Sequence, residues 1–149
     1  MTVFRSAAGR LSVLRCLVAA TLLLAAPAAA QSNDAFPFDQ ELILDVAPMR
    51  PVKRVPILTV MPDGAATIDL WCQTVRARVT VAAGALRIEP GPMPEAPPAM
   101  MVAGQCSPER VQADVGLMAA LAQVESWRWQ GGAVVLNGPT PMRFRPSSH

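Results

Sequence analysis

The stretch that decides the fold runs from Ser107 to Arg145, SPERVQADVGLMAALAQVESWRWQGGAVVLNGPTPMRFR, because its hydrophobic period changes once, from helical to alternating. Ser107-Pro108-Glu109 reads as a helix start: serine can cap, proline is preorganised at the first helical position, and glutamate meets the positive end of the dipole. Val111, Val115, Met118 and Ala122 then recur at helical spacing, with Leu117, Leu121 and Val124 beside them. That stripe predicts one amphipathic helix over about 108–124, packed by its apolar face on a sheet. From Ser126 the period falls to two. Trp127 and Trp129 share one face and Arg128 the other, and Gly131-Gly132 and Asn137-Gly138 are turn signals. Three short strands are predicted, over 126–130, 133–136 and 142–145.

Upstream of the helix the pattern is β throughout. Glu41–Val46 and Val55–Met61 are β-branched runs between proline-containing stretches, and Pro56 places the second at a sheet edge or at a strand start. Pro62-Asp63-Gly64 is a turn, since proline presets φ and glycine accepts positive φ. Ala66, Ile68, Leu70 and Cys72 alternate with Thr67, Asp69 and Trp71, which predicts a buried Cys72 and a Trp71 on the opposite face. Val79 and Val81 alternate with Arg78 and Thr80. After Ala83-Gly84, Leu86 and Ile88 alternate with Arg87 and Glu89, so a second hairpin with one wet face is expected. Residues 90–98 are rich in proline and read as a stiff, extended surface loop. The fold class is therefore α+β: a small antiparallel sheet or partly open barrel of short strands with one helix packed on it.

Residues 1–30 read as a cleavable secretory leader. Arg5, Arg10 and Arg15 are followed by an uncharged run from Cys16 to Ala30, and Ala28-Ala29-Ala30 supplies a small-residue cleavage pattern before Gln31. The run is about 15 residues, short of the roughly 20 that span a bilayer, so no membrane span is expected after cleavage. Cys16 leaves with the leader, and its place at the start of the apolar run is not that of a lipid-bearing cysteine. Three of the 13 Lys and Arg residues leave too, and ten basic residues face 11 acids in a single domain over 31–149, a net charge of about −1. Scattered positive charge of that kind excludes nucleic acid as a partner class. Export places the domain in the periplasm or outside the cell, where the remaining even pair, Cys72 and Cys106, reads as a disulfide.

The order of hairpins, cysteine, proline-rich loop, cysteine, helix and closing meander resembles the META/HslJ-like family of small bacterial envelope proteins. Trp71-Cys72-Gln73 stands where that family has Gly-Cys-Asn, Gly84-Ala85-Leu86-Arg87-Ile88 matches its following strand, and Cys106 its second cysteine. Leu117, Leu121, Val124, Trp127, Trp129, Gly132, Val135, Leu136 and Phe144 match its helix and closing strands. Two departures stand out: Gln73 replaces the usual Asn, and Val102-Ala103-Gly104-Gln105 precedes Cys106 in place of Thr-x-Met-Ala. The resemblance implies the fold and the compartment; the family has no agreed biochemical activity, only associations with envelope stress, drug tolerance and secretion.

No catalytic constellation is expected. The sole histidine is His149, the last residue, and chain ends are poor places to build a nucleophile–base pair. Asp63 is turn chemistry, Glu109 and Asp114 suit the start of a helix, and Asp69 and Glu89 fall on solvent faces. Trp71, with Arg76, Arg78 and Arg87 on the neighbouring hairpin, forms the candidate binding surface, and Trp127 and Trp129 read either as core anchors or as an exposed platform. Met93, Met100 and Met101 are soft ligands of the type that selects Cu(I), but no histidine lies near and methionine is an ordinary gap-filler, so neither a metal nor another cofactor is expected. Two functions fit: a noncatalytic binding or envelope-stress module acting on a protein or envelope ligand, and a secreted inhibitor of lysozyme or protease that presents the proline-rich loop.

Overall fold

A computed structural model of the chain describes residues 35–50, 54–94 and 106–148. The leader, the end of the proline-rich loop, Met100, Met101 and His149 lie outside the described residues. Eight strands form one antiparallel sheet: β1 (Glu41–Leu44), β2 (Ile57–Val60), β3 (Ala65–Asp69), β4 (Thr74–Val81), β5 (Leu86–Pro90), β6 (Ser126–Gln130), β7 (Ala133–Asn137) and β8 (Met142–Pro146). A single described helix, α1 (Pro108–Leu121), separates β5 from β6. Strand order is β5-β4-β3-β2-β1-β8-β7-β6. The two end strands meet at a single bridge between Ala85 and Ser126. It is flanked by Leu86 N–H donating to the Glu125 carbonyl at 3.1 Å and Trp127 N–H donating to the Gly84 carbonyl at 3.0 Å. The result is the α+β, partly open barrel that the sequence pattern predicts.

Alternation does the packing. Leu42 pairs with Leu58, Leu58 with Ile68, Ile68 with Val75 and Val79 with Ile88. On the other side Trp127 pairs with Leu136, Leu136 with Met142 and Phe144 with both Val134 and Leu44. All of these side chains are buried. They fill the interior in layers, as small barrels do when the strand period of two keeps one face of every strand inward. Each fully buried aliphatic or aromatic side chain contributes about 1.5–3 kcal/mol. Val135, like Ala133 on the same strand, departs from the alternation: it points outward yet is buried. Its cross-strand neighbours are Arg128 and Arg143, whose aliphatic stems can cover it while their heads stay in water.

The β2–β3 turn follows its residues. Asp63 Oδ1 accepts from Ala65 N–H at 2.8 Å, and Gly64 takes φ +84°. Gly64 has a second reason to be glycine. Its carbonyl accepts from Val79 N–H at 2.8 Å, and a Cβ there would stand 2.6 Å from the Val79 carbonyl oxygen.

The helix begins where Ser107-Pro108-Glu109 places it, with Ser107 extended and Pro108 in the first turn. The Ser107 hydroxyl holds the exposed Glu109 carboxyl below its ordinary value. It ends at Leu121, before the expected limit of 124, and its buried face is rotated from the expected stripe. Arg110, Asp114, Leu117, Met118 and Leu121 point inward, whereas Val115 is 48% exposed. The first two turns lie over backbone polar groups, which call for polar side chains, and apolar packing takes over only from Leu117. Among the described residues no helix is long and apolar enough to cross a membrane.

Cys72 and Cys106 form a disulfide, with Cα atoms 5.7 Å apart and 34 residues of separation. It joins the β3–β4 turn to the residue before the helix cap. For a loop of that length the chain-entropy estimate is about 4 kcal/mol. Urea unfolding of the double variant Cys72→Ala/Cys106→Ala should show a loss of roughly that size; a midpoint unchanged from wild type would show that the cross-link does not constrain the unfolded chain.

Candidate functional site

Strand β3 ends at Asp69 and β4 begins at Thr74, so Leu70 to Gln73 form a turn in which alternation no longer sorts side chains. Leu70, Trp71, Cys72 and Gln73 are all buried. The expected outward Trp71 is thereby corrected: it is 6% exposed and takes no part in a surface beside the arginines. A buried turn leaves backbone N–H groups without ladder partners, and each must find an acceptor. Leu70 N–H uses the Gln73 carbonyl at 2.7 Å. Trp71 and Cys72 use Asp114: their N–H groups donate to Oδ1 at 2.9 Å and to Oδ2 at 3.1 Å.

Asp114 is therefore not the helix-start acid that its position suggests. It is wholly buried, and burial pushes its carboxyl above the ordinary aspartate value, against the pull of the two N–H donors and the positive charges of Arg54 and Arg110. Arg110, one helical turn earlier, is 1% exposed and donates through Nη2 to the Met49 carbonyl. Two adjacent turns of α1 thus project an acid and a base into the barrel end, each meeting backbone. Trp71 Nε1 and Gln73 Oε1 are buried there with no hydrogen-bond partner among the described residues. The sequence signal for this site was faint: Arg110 and Asp114 share a face with Leu117 and Leu121, but charged residues at those spacings ordinarily mark the wet side.

The surface candidates gather elsewhere. Arg76 and Arg78 project from β4, opposite Thr67 and Glu89 respectively, and Arg87 on β5 faces Thr80. The structure brings these three arginines onto one outer face of the β4–β5 hairpin. Arg78 Nη1 donates to the Asp63 carbonyl at 3.0 Å, and Arg87 Nε pairs with Glu89 at 2.9 Å. Both members of that pair are more than half exposed, so the contact adds little stability. Hollows of about 340 and 290 Å³ flank Thr80, the first bordered by Arg78 and Phe38, the second by Arg87 and Glu125.

Trp127 is an interior anchor. The Phe36 ring meets it edge-on at 5.1 Å, and its Nε1 donates to the Ala82 carbonyl at 3.4 Å. Trp129 is half-buried, with Nε1 donating to the Ala35 carbonyl at 3.0 Å. Met93 is partly buried against the core. Among the described residues, no three His, Cys, Asp or Glu residues gather as a metal site would require. Comparison with family models, curated proteins and solved structures gives no match.

Replacing Asp114 with alanine strands two buried N–H groups and should cost about 2–4 kcal/mol. A change below 0.5 kcal/mol in chemical denaturation, the size of an ordinary surface substitution, would contradict the assignment. The pH dependence has a definite sign. Because the folded-state value is raised, the native state holds the Asp114 proton more tightly, so this group's stabilising contribution is complete below the ordinary aspartate value and is lost as pH rises through the raised one. The stability of wild type relative to Asp114→Asn should therefore fall over that window, and a rise would reverse the sign.

Proposed function

We propose that this chain is an exported, noncatalytic domain of META/HslJ type that works by binding a protein or envelope ligand, and that the outer face of the β4–β5 hairpin is its contact surface. One observation carries the reading: Arg76, Arg78 and Arg87 share one rigid, solvent-facing surface, while the interior acid Asp114 is committed to holding backbone. Arginine on a sheet suits recognition, because its planar fork offers several donors already aimed, and the sheet removes most of the backbone entropy that ordering a loop would cost. The leader pattern supports action in the periplasm or outside the cell, and the disulfide suits such a compartment.

A second reading, a secreted inhibitor of lysozyme or protease, is favoured by how the proline-rich loop leaves the sheet. Gly91 N–H donates to the Arg76 carbonyl at 2.8 Å, and a Cβ at Gly91 would stand 2.7 Å from that same oxygen. The root of the loop is thus drawn tight against β4, and inhibitors act by presenting a loop that is already ordered.

The two readings separate in one assay. Purified protein with its disulfide intact is mixed at stoichiometric concentration with a panel of lysozymes and proteases. No enzyme should lose activity under the binding-module reading. Inhibition that is abolished by shortening the proline-rich loop, and untouched by Arg76→Ala/Arg87→Ala, would replace it with the inhibitor reading.

A further inference from the structure

The barrel is closed by one bridge, and strand β6 continues beyond it. Trp127 N–H donates to the Gly84 carbonyl on the β4–β5 turn, so the backbone groups of Trp127 point away from β7 and toward the seam. Two residues on, the N–H and carbonyl of Trp129 must point the same way, because strand geometry repeats with period two. There the β4–β5 turn has already ended. Among the described residues no backbone group pairs with Trp129 on that side, and the edge stands open beside a hollow of about 230 Å³ bordered by Gly84, Trp127, Arg128 and Trp129. Gly84 adds room, since a Cβ built on it would meet nothing within 4 Å.

Charge marks the same edge. The Arg128 guanidinium donates to Asn137 Oδ1 at 2.7 Å and to Gln130 Oε1 at 3.1 Å. Both acceptors are neutral, and among the described residues no carboxylate pairs with the Arg128 charge at the outer side of the edge. On the inner side the half-buried Trp129 presents aromatic surface, next to the buried Trp127. An open strand edge is a template for another strand, and natural sheets that do not use such edges cover them or bend them away.

We propose that β6 is a strand-addition site for an extended segment of a partner protein in which acidic residues alternate with apolar ones. The incoming strand runs antiparallel to β6. A residue opposite Trp129 gives its carbonyl to the Trp129 N–H and its own N–H to the Trp129 carbonyl. That residue's apolar side chain enters the hollow against the tryptophans, and its acidic neighbours lie on the outer face beside Arg128. This surface is separate from the arginine face of the β4–β5 hairpin and does not depend on it.

The probe is a capped pentapeptide alternating valine and glutamate, titrated into ¹⁵N-labelled protein isolated with its disulfide intact. The Trp129 backbone amide should shift saturably and become protected from solvent exchange. Exchanging glutamate for lysine should weaken binding about threefold, the range of an exposed ion pair. Methylating the central valine nitrogen, which removes the donor to the Trp129 carbonyl and blocks the edge, should weaken it at least roughly tenfold. Arg128→Glu, an exposed substitution whose fold is checked by the unchanged remainder of the amide spectrum, should invert the preference toward the lysine peptide. The proposal fails if no peptide binds at millimolar concentration, if binding leaves the Trp129 amide unmoved, or if the N-methylated peptide binds equally well. It also fails if sedimentation shows a dimer whose Trp129 amide is already protected without peptide, since a second copy would then be the occupant.

Discussion

The carboxylate of Asp114 is the constraint on which the helix-covered end of the barrel depends. It accepts the N–H groups of Trp71 and Cys72 within one buried turn, and it reaches them only if α1 lies across that turn with its first two helical turns facing inward. The disulfide repeats the restraint through a different bond, because Cys106 immediately precedes the helix cap and Cys72 is one of the two residues that Asp114 holds. The two devices act on different states. The disulfide works mainly by limiting the unfolded chain, whereas the carboxylate satisfies donors that exist only once the turn is buried.

Retaining a charge in that position has a cost, visible in the direction of its titration: burial outweighs both donors and both arginines. A buried acid is worse than an apolar residue where nothing needs it, and better where two N–H groups would otherwise be stranded. The helix face reflects that balance. Its N-terminal half carries Arg110 and Asp114 over backbone, and its C-terminal half carries Leu117, Met118 and Leu121 over the hydrophobic interior.

Much of the fold was legible because short-range rules govern it. Pro62-Asp63-Gly64 sets a turn whose dihedral and side-chain requirements are local, Ser107-Pro108-Glu109 sets a helix start, and in the closing meander β6 and β8 alternate on either side of the apolar β7. Trp71 was misread because period two was carried past Asp69 into a turn, where it no longer applies. Val115 was assigned to the core, and Asp114 to the helix start, because periodicity ranks residues by hydrophobicity and does not register that a distant turn needs acceptors. Arg76, Arg78 and Arg87 share one outer face because one hairpin carries them all in alternating register. The open edge at Trp129 could not be read locally, since it depends on where β5 meets β6.

The clamp is tested most directly by following the Asp114 carboxyl carbon and the amide protons of Trp71 and Cys72 in one NMR pH titration. If Asp114 holds that turn, both amides shift upfield as protonation weakens their hydrogen bonds, with the midpoint of its carboxyl, which burial raises above the ordinary aspartate value. Two amides indifferent to the Asp114 titration would contradict the clamp and leave the helix held by its apolar face, Arg110 and the disulfide.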